Sequence, residues 1–229
     1  MLFEFFGSTQ NTIKGVFSVC VNTEFVVPGE SETTKVIPGI AHFLEHKVFE
    51  QPDGGNALKI FAQTGASPNA FTSRNMTAYY FSCTENFDRN LEILLDFVTT
   101  PYFTDENVEK EQGIIGQEIR MYDDEGSWQV AINQLKALYH NNPVRLDIAG
   151  TVESIAQIDK DVLYKCYNTF YHPSNMALIC VGDLDENEIW SYVEKCIKTD
   201  TPHGKITQVF PEESTKAYKR RIEAQFDIP

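Results

Sequence analysis

Two histidines and a glutamate stand within five residues of one another, in the run His42-Phe43-Leu44-Glu45-His46. On a helix, positions i and i+4 share a face and position i+3 lies beside them. His42 and His46 can therefore direct two imidazoles at one metal ion, which is half of a zinc site. Glu45 on the same face can take a proton from water as a general base. The alternative is a pair of surface histidines on an amphipathic helix.

The third ligand of such a site must come from elsewhere, because catalytic zinc usually has three protein ligands and one open position. The five cysteines are scattered and form no Cys-x-x-Cys pair, so we expect an Asp, Glu or His. The best candidate lies in the run 109–120, where Glu111 and Glu118 are seven residues apart and share a helix face. Two carboxylates on a partly apolar face need partners if they are buried. The alternative is a solvated acidic helix.

Two predicted helices must position these residues. The first covers 38–50, where Pro38 suits the first turn, apolar residues recur near the helical period, and a breaker follows at 52–55. The second covers 104–122, where Thr104 is a good N-cap followed by acidic residues. Both candidate ligand sets therefore lie on regular helices.

The rest of the chain alternates between strand and helix patterns. Strands are predicted at 14–27, 67–73, 76–83 and 176–181, and further helices at 56–64, 86–99, 127–140, 160–170 and 186–197. This mixture predicts an α+β fold, with helices packed on one face of a mostly antiparallel sheet.

Composition limits the class of protein. The 229 residues suit one large domain. A net charge of −14 argues against nucleic acid as a partner, since that requires basic patches, and against anionic membrane surfaces. No run approaches the roughly 20 apolar residues of a membrane span, and the apolar start at 1–6 is too short for a signal peptide. The unpaired-looking cysteines suit a reducing compartment, so we expect a cytoplasmic protein.

Several motifs in order make the chain resemble the pitrilysin family of zinc metallopeptidases, which includes insulin-degrading enzyme and mitochondrial processing peptidase. Its His-x-x-Glu-His motif inverts the commoner His-Glu-x-x-His pattern. A glutamate ligand follows some seventy residues later, and Glu118 follows His46 by 72 residues. The short bacterial members look most similar. The other matching segments are Glu111, Asn69-Ala70-Phe71-Thr72, Tyr122-Asp123-Asp124 and Tyr171-His172-Pro173-Ser174-Asn175-Met176.

The resemblance implies a role for each matching site residue. His42, His46 and Glu118 would bind Zn²⁺. Glu45 would be the general base that activates water, and Glu111 would orient a ligand or tune its charge.

The resemblance also implies how substrate is held. Asn69, Ala70, Phe71 and Thr72 would form an edge strand that receives a peptide by β-addition. Phe49 and Phe71 either line a side-chain pocket or belong to the core, and the core is the preferred interpretation.

The implied function is a zinc-dependent endopeptidase, present as a subunit or fragment, acting on peptides or unfolded polypeptides. The alternatives are a non-catalytic peptide-binding or assembly partner of such a peptidase, and another zinc hydrolase or structural zinc site. Family members contain two or more related halves, and this chain resembles the first. We therefore expect a zinc-site domain at 1–198, a tail or linker at 199–229, and a second domain or homologous subunit as partner. Lys47 replaces an apolar residue, and we expect it to snorkel to solvent.

Overall fold

Two sheets and eight α-helices make up the part of the chain that the structure describes. The computed structural model describes residues 2–6, 11–17, 24–197 and 204–223, the first two segments as backbone only. The strands are β1 Leu2–Phe6, β2 Asn11–Phe17, β3 Glu24–Val26, β4 Thr33–Thr34, β5 Ser67–Thr72, β6 Thr77–Cys83, β7 Met176–Val181 and β8 Thr207–Val209. The helices are α1 Ile40–Val48, α2 Ala57–Thr64, α3 Phe87–Thr99, α4 Asp105–Asp123, α5 Gly126–Leu138, α6 Val152–Ile155, α7 Lys160–Phe170 and α8 Glu186–Cys196.

The main sheet has the strand order β1-β7-β2-β6-β5. Only the β1–β7 pair is parallel, and the other pairs are antiparallel. Strand β5 lies at one edge, with Asn69 opposite Tyr80 of β6. A smaller antiparallel sheet has the order β4-β3-β8. The predicted α+β fold with a mostly antiparallel sheet is confirmed.

The core lies where α1, α2 and α3 pack against β5, β6 and β2. Its centre is an aromatic cluster of Phe49, Phe61, Tyr79 and Phe97. The rings of Phe49 and Phe97 stack with centroids 4.9 Å apart, and the edges of Phe61 and Tyr79 meet Phe97 at 6.1 and 5.7 Å. Phe49 therefore anchors the carboxy-terminal end of α1, the first of the two helices predicted to carry metal ligands, in the core.

Local signals set most helix boundaries close to where the sequence predicts them. Helix α4 begins after Thr104, whose side chain accepts from the Asn107 N–H while Asn107 bonds back to Thr104. Helix α2 ends at Gly65, whose φ of 76° is left-handed. Among the described residues, no helix combines the length and apolar character that crossing a membrane requires.

The amino-terminal strands differ from the prediction. The prediction of one strand at 14–27 is wrong. Strand β2 ends at Phe17 in the main sheet, and β3 begins at Glu24 in the small sheet. Residues 18–23 lie outside the described part. Residues 2–6, for which no strand was predicted, form β1, with Leu2 opposite Ala177. A parallel pairing over this sequence distance leaves no hairpin signal.

Lys47 does not reach solvent, so the snorkelling prediction is wrong. Its side chain is fully buried between α1 and α4. The Nζ atom donates to the Asn107 carbonyl at 3.1 Å and pairs with Glu50 Oε2 at 2.6 Å. Burial lowers the pKa of Lys47, and the bond with Glu50 partly offsets that shift. The ammonium therefore ties the two helices that carry the candidate ligands.

The carboxy-terminal segment packs back on the chain. Strand β8 pairs with β3, and the backbone N–H groups of Tyr218 and Lys219 donate to carbonyls at the end of α5. Glu213 accepts from three successive backbone N–H groups, at 140, 141 and 142. The division of the chain at 198/199 stays a prediction.

Candidate metal centre

Helix α1 is fixed at its first turn by a close backbone approach. Its N-cap, Gly39, has a φ of 97°, and a Cβ there would lie 2.5 Å from the Ala149 carbonyl oxygen. Ile40, Phe43 and Leu44 are buried in the core. The opposite side of the helix therefore faces away from the core, toward α4.

The structure brings His42, His46 and Glu118 together. One possible ligand atom from each lies within 4.8 Å of the others. His42 Nε2 is 3.7 Å from Glu118 Oε1, and His46 Nε2 is 3.6 Å from Glu118 Oε2. Ligands about 2.0–2.1 Å from a tetrahedral zinc ion lie roughly 3.4 Å apart. Two imidazoles and a carboxylate at this spacing fit a zinc ion with one open position.

Glu111 holds the second imidazole by its other nitrogen. His46 Nδ1 lies 2.9 Å from Glu111 Oε1, and the Glu111 side chain is almost completely buried. When His46 donates from Nδ1, its Nε2 lone pair faces Glu118. A carboxylate on the far nitrogen is the usual way to fix the tautomer of a metal-binding histidine. Glu111 thus lies where the sequence predicts an orienting residue.

The two imidazoles differ electrostatically. Burial lowers the pKa of His42 to about 4, with a further decrease from His46. His42 is therefore neutral at pH 7, the form that binds metals. Burial also lowers the pKa of His46, but the hydrogen bond and charge of Glu111, together with the charges of Glu45 and Glu118, outweigh it, and the net shift is upward. Because the raised pKa favours the protonated imidazole, a metal ion must compete with a proton for the Nε2 atom of His46.

Glu45 lies beside this cluster. Its Oε2 accepts a hydrogen bond of 2.6 Å from the Thr72 hydroxyl, and its side chain is buried. Burial raises the pKa of Glu45, and the bond from Thr72 partly offsets the increase. A carboxylate with a raised pKa, fixed by one neighbour, suits a general base.

Two cavities flank Glu45 and His46, and Ala70 of β5 lines both. One, of about 410 Å³, also contacts Asn69, Phe49 and Glu111. The other, of about 270 Å³, also contacts the remaining members of the predicted site; these are His42, Phe71, Thr72 and Glu118. Each predicted site residue therefore lines at least one of these two cavities.

The two phenylalanines behave differently. Phe49 is in the core as preferred, although its edge reaches the larger cavity. The preference for Phe71 in the core is wrong, because its side chain is 43% exposed. On an edge strand its alternating position points away from the packed helices.

Three residues around the smaller cavity have no assigned role in the sequence prediction. Tyr122 is named only as part of a motif shared with the family, and no prediction is made for Trp128 or Asp147. Trp128 Nε1 donates to Asp147 Oδ2 at 2.8 Å. A tryptophan and an aspartate 19 positions apart carry no local signal that would predict this contact.

Comparison with known proteins gives consistent matches along the chain. A family profile described as Insulinase (Peptidase family M16) matches residues 23–152. A second profile, described as Peptidase M16 inactive domain, matches residues 157–227.

The relatives include zinc proteases. The chain is 50% identical over 213 residues to the uncharacterized zinc protease YmfH of Bacillus subtilis, covering 91% of this chain and 50% of that protein. It is 30% identical over 227 residues to mitochondrial-processing peptidase subunit beta of Caenorhabditis elegans, covering 97% and 48%. An M16-like peptidase crystal structure from Alicyclobacillus acidocaldarius matches with a TM-score of 0.88 and 40% identity, over 95% of this chain and 52% of that one. The chain thus spans about half the length of these relatives.

Proposed function

Because the chain belongs to peptidase family M16, the insulinase family, we propose that it is the metal-binding half of a zinc-dependent endopeptidase. The membership confirms the resemblance found in the sequence. The observation that carries the proposal is the meeting of His42, His46 and Glu118 within 4.8 Å, with Glu45 beside them.

His42, His46 and Glu118 would hold the zinc ion. A bound zinc ion supplies Lewis-acid chemistry, because it polarises a carbonyl and makes water more acidic. Glu111 would keep the His46 lone pair directed at the ion by accepting from Nδ1. Buried surroundings strengthen these electrostatic interactions compared with water.

Glu45 would move the protons. It accepts a proton from the attacking water and later delivers it to the leaving amine of the peptide. Burial supports this cycle because it raises the carboxyl pKa toward neutrality. The Thr72 hydroxyl holds one oxygen, so the other is free to face the reacting water.

Strand β5 would hold the substrate. It lies at the edge of the main sheet, and Ala70 faces both cavities beside Glu45. A peptide or unfolded polypeptide added to this edge would be held by main-chain hydrogen bonds, with little demand on its sequence. Phe71 is exposed beside this path and offers apolar contact.

A second domain or homologous subunit would complete the enzyme. The chain covers only about half of each relative that it matches. Substrate-holding residues from that half would close over the site, so the isolated chain need not turn over substrate.

The test combines zinc content with peptidase activity, for the chain alone and with the second half of the parent protein supplied. We expect one zinc per chain and cleavage that a chelator abolishes. Glu45→Gln should keep the zinc and lose cleavage, whereas Glu109→Gln, an exposed site on α4, should keep both. Turnover by Glu45→Gln at the wild-type rate would reject Glu45 as the base. Zinc binding without cleavage by the complete protein would favour the non-catalytic alternative.

A further inference from the structure

One wall of the smaller cavity is built from side chains that the proposed function leaves without a role. Tyr122, Trp128 and Asp147 all line this cavity together with Glu118. Tyr122 follows Glu118 by four residues in α4, so the two side chains are neighbours on one helix face. The rings of Tyr122 and Trp128 pack with centroids 5.0 Å apart at 31°.

A hydrogen bond joins the Trp128 ring to Asp147, which is itself hydrogen-bonded to the backbone. Trp128 Nε1 donates to Asp147 Oδ2 at 2.8 Å, and Asp147 Oδ1 accepts from the Ala149 N–H at 3.0 Å. Ala149 in turn lies against Gly39 at the start of α1. A continuous set of contacts therefore runs from α4, through Trp128, to the first turn of the helix that carries His42.

Glu118 needs such support more than the two histidines do. A glutamate side chain has three rotatable bonds, and that of Glu118 is 24% exposed, so packing alone does not fix its carboxylate. Ligating carboxylates are generally hydrogen-bonded by an outer partner. Tyr122 lies one turn after Glu118 on the same face of α4, and both side chains line the smaller cavity, so its phenol is placed to serve as that partner.

We propose that Tyr122 is a positioning residue for Glu118: its hydroxyl donates to the carboxylate, and the Trp128–Asp147 pair holds the phenol ring in place. This inference rests on the proposed metal site, but not on the peptidase activity. The hydroxyl leaves the carboxylate fewer orientations, so less entropy is lost when the ion binds.

The test measures metal binding directly. Tyr122→Phe removes only the hydroxyl and keeps the ring against Trp128. We expect its zinc dissociation constant, from competition with a chromophoric chelator, to rise by about 10–100-fold. The visible absorption of the Co²⁺-loaded chain should shift, since it reports coordination geometry. Trp128→Phe, which keeps an aromatic ring without the N–H donor, should change both readouts in the same direction but less. Tyr139→Phe, at the end of α5 away from the cavity, is the matched control.

Each outcome decides the inference. Unchanged zinc affinity and Co²⁺ absorption in Tyr122→Phe would overturn it, and a change confined to the KM for peptides would assign Tyr122 to substrate binding instead. If Tyr122→Phe fails to fold by circular dichroism, the same two readouts on Trp128→Phe decide. A wild-type chain that binds no zinc would overturn the metal site together with this inference. Zinc binding without peptidase activity, with the second half of the parent protein supplied, would overturn only the proposed function.

Discussion

The close approach at Gly39 makes one substitution unusually informative. Gly39 is the N-cap of α1 with a φ of 97°, three residues before His42. Gly39→Ala adds a single methyl group at this point. That methyl would lie 2.5 Å from the Ala149 carbonyl oxygen and 3.1 Å from the Ile155 side chain. Backbone atoms cannot rotate away, so the helix or the loop must shift.

The expected magnitude has two parts. A non-glycine residue in a left-handed conformation costs about 1–2 kcal/mol. Forcing a methyl group into a filled space costs about 1–3 kcal/mol more. Gly65 is the matched control, because its φ is also left-handed, at 76°, but nothing lies within 4 Å of a Cβ there. Gly65→Ala should therefore show the conformational cost alone. The free energy of unfolding should fall by about 2–5 kcal/mol in Gly39→Ala and by about 1–2 kcal/mol in Gly65→Ala.

Urea unfolding of the two variants and the wild-type chain, followed by circular dichroism, measures these differences. A second readout is zinc affinity, which should weaken in Gly39→Ala because a shift of α1 relative to α4 changes the spacing of the candidate ligands. In Gly65→Ala the affinity should match wild type. Equal destabilisation of the two variants, with equal zinc affinity, would refute the argument that the contact with Ala149 sets the position of α1.

Three further substitutions test other parts of the structure. Lys47→Ala should lower the free energy of unfolding by about 3 kcal/mol in urea titrations, because it removes a buried ammonium and leaves its partners uncompensated. Glu111→Gln should weaken zinc binding by about 10–100-fold in a chelator competition, because His46 loses its charged acceptor, while Glu109→Gln should not. Glu213→Gln should destabilise the chain at pH 7. Backbone N–H donors lower the Glu213 pKa from 4.5 to about 2, so its contribution is full above pH 4.5 and disappears as the pH falls through 2. Urea titrations between pH 7 and pH 3 should therefore show the difference from wild type becoming smaller.

The sequence predicts well where the determinants are local. Helix α4 was predicted at 104–122 and extends over Asp105–Asp123, because a capping residue and a helical apolar period both lie within the segment. The spacing of His42 and His46 needs only helix geometry to place both rings on one face. Only the family motif distinguishes Glu118 from the other acidic residues as a ligand. The sequence around it does not indicate which carboxylate will face α1.

The errors come from contacts between distant segments. Strand β1 owes its place to a parallel pairing with β7, some 170 residues later. Lys47 is buried because Asn107 of α4 and Glu50 supply acceptors. A lysine at a helix position gives no indication that such acceptors will be present, so the default expectation is that it reaches solvent.

The position of the candidate metal centre follows from the same kind of distant contact. The two imidazoles belong to α1 and the carboxylate to α4, so the distance between the helices decides whether one ion can reach all three. Three links hold that distance: the bond of Glu111 to His46, the buried Lys47, and the set of contacts from Tyr122 through Trp128 to Ala149. When one link is lost, the other two still restrain the helices, so the loss is partly compensated. Combined variants of two links should therefore weaken zinc binding by more than the product of the single effects.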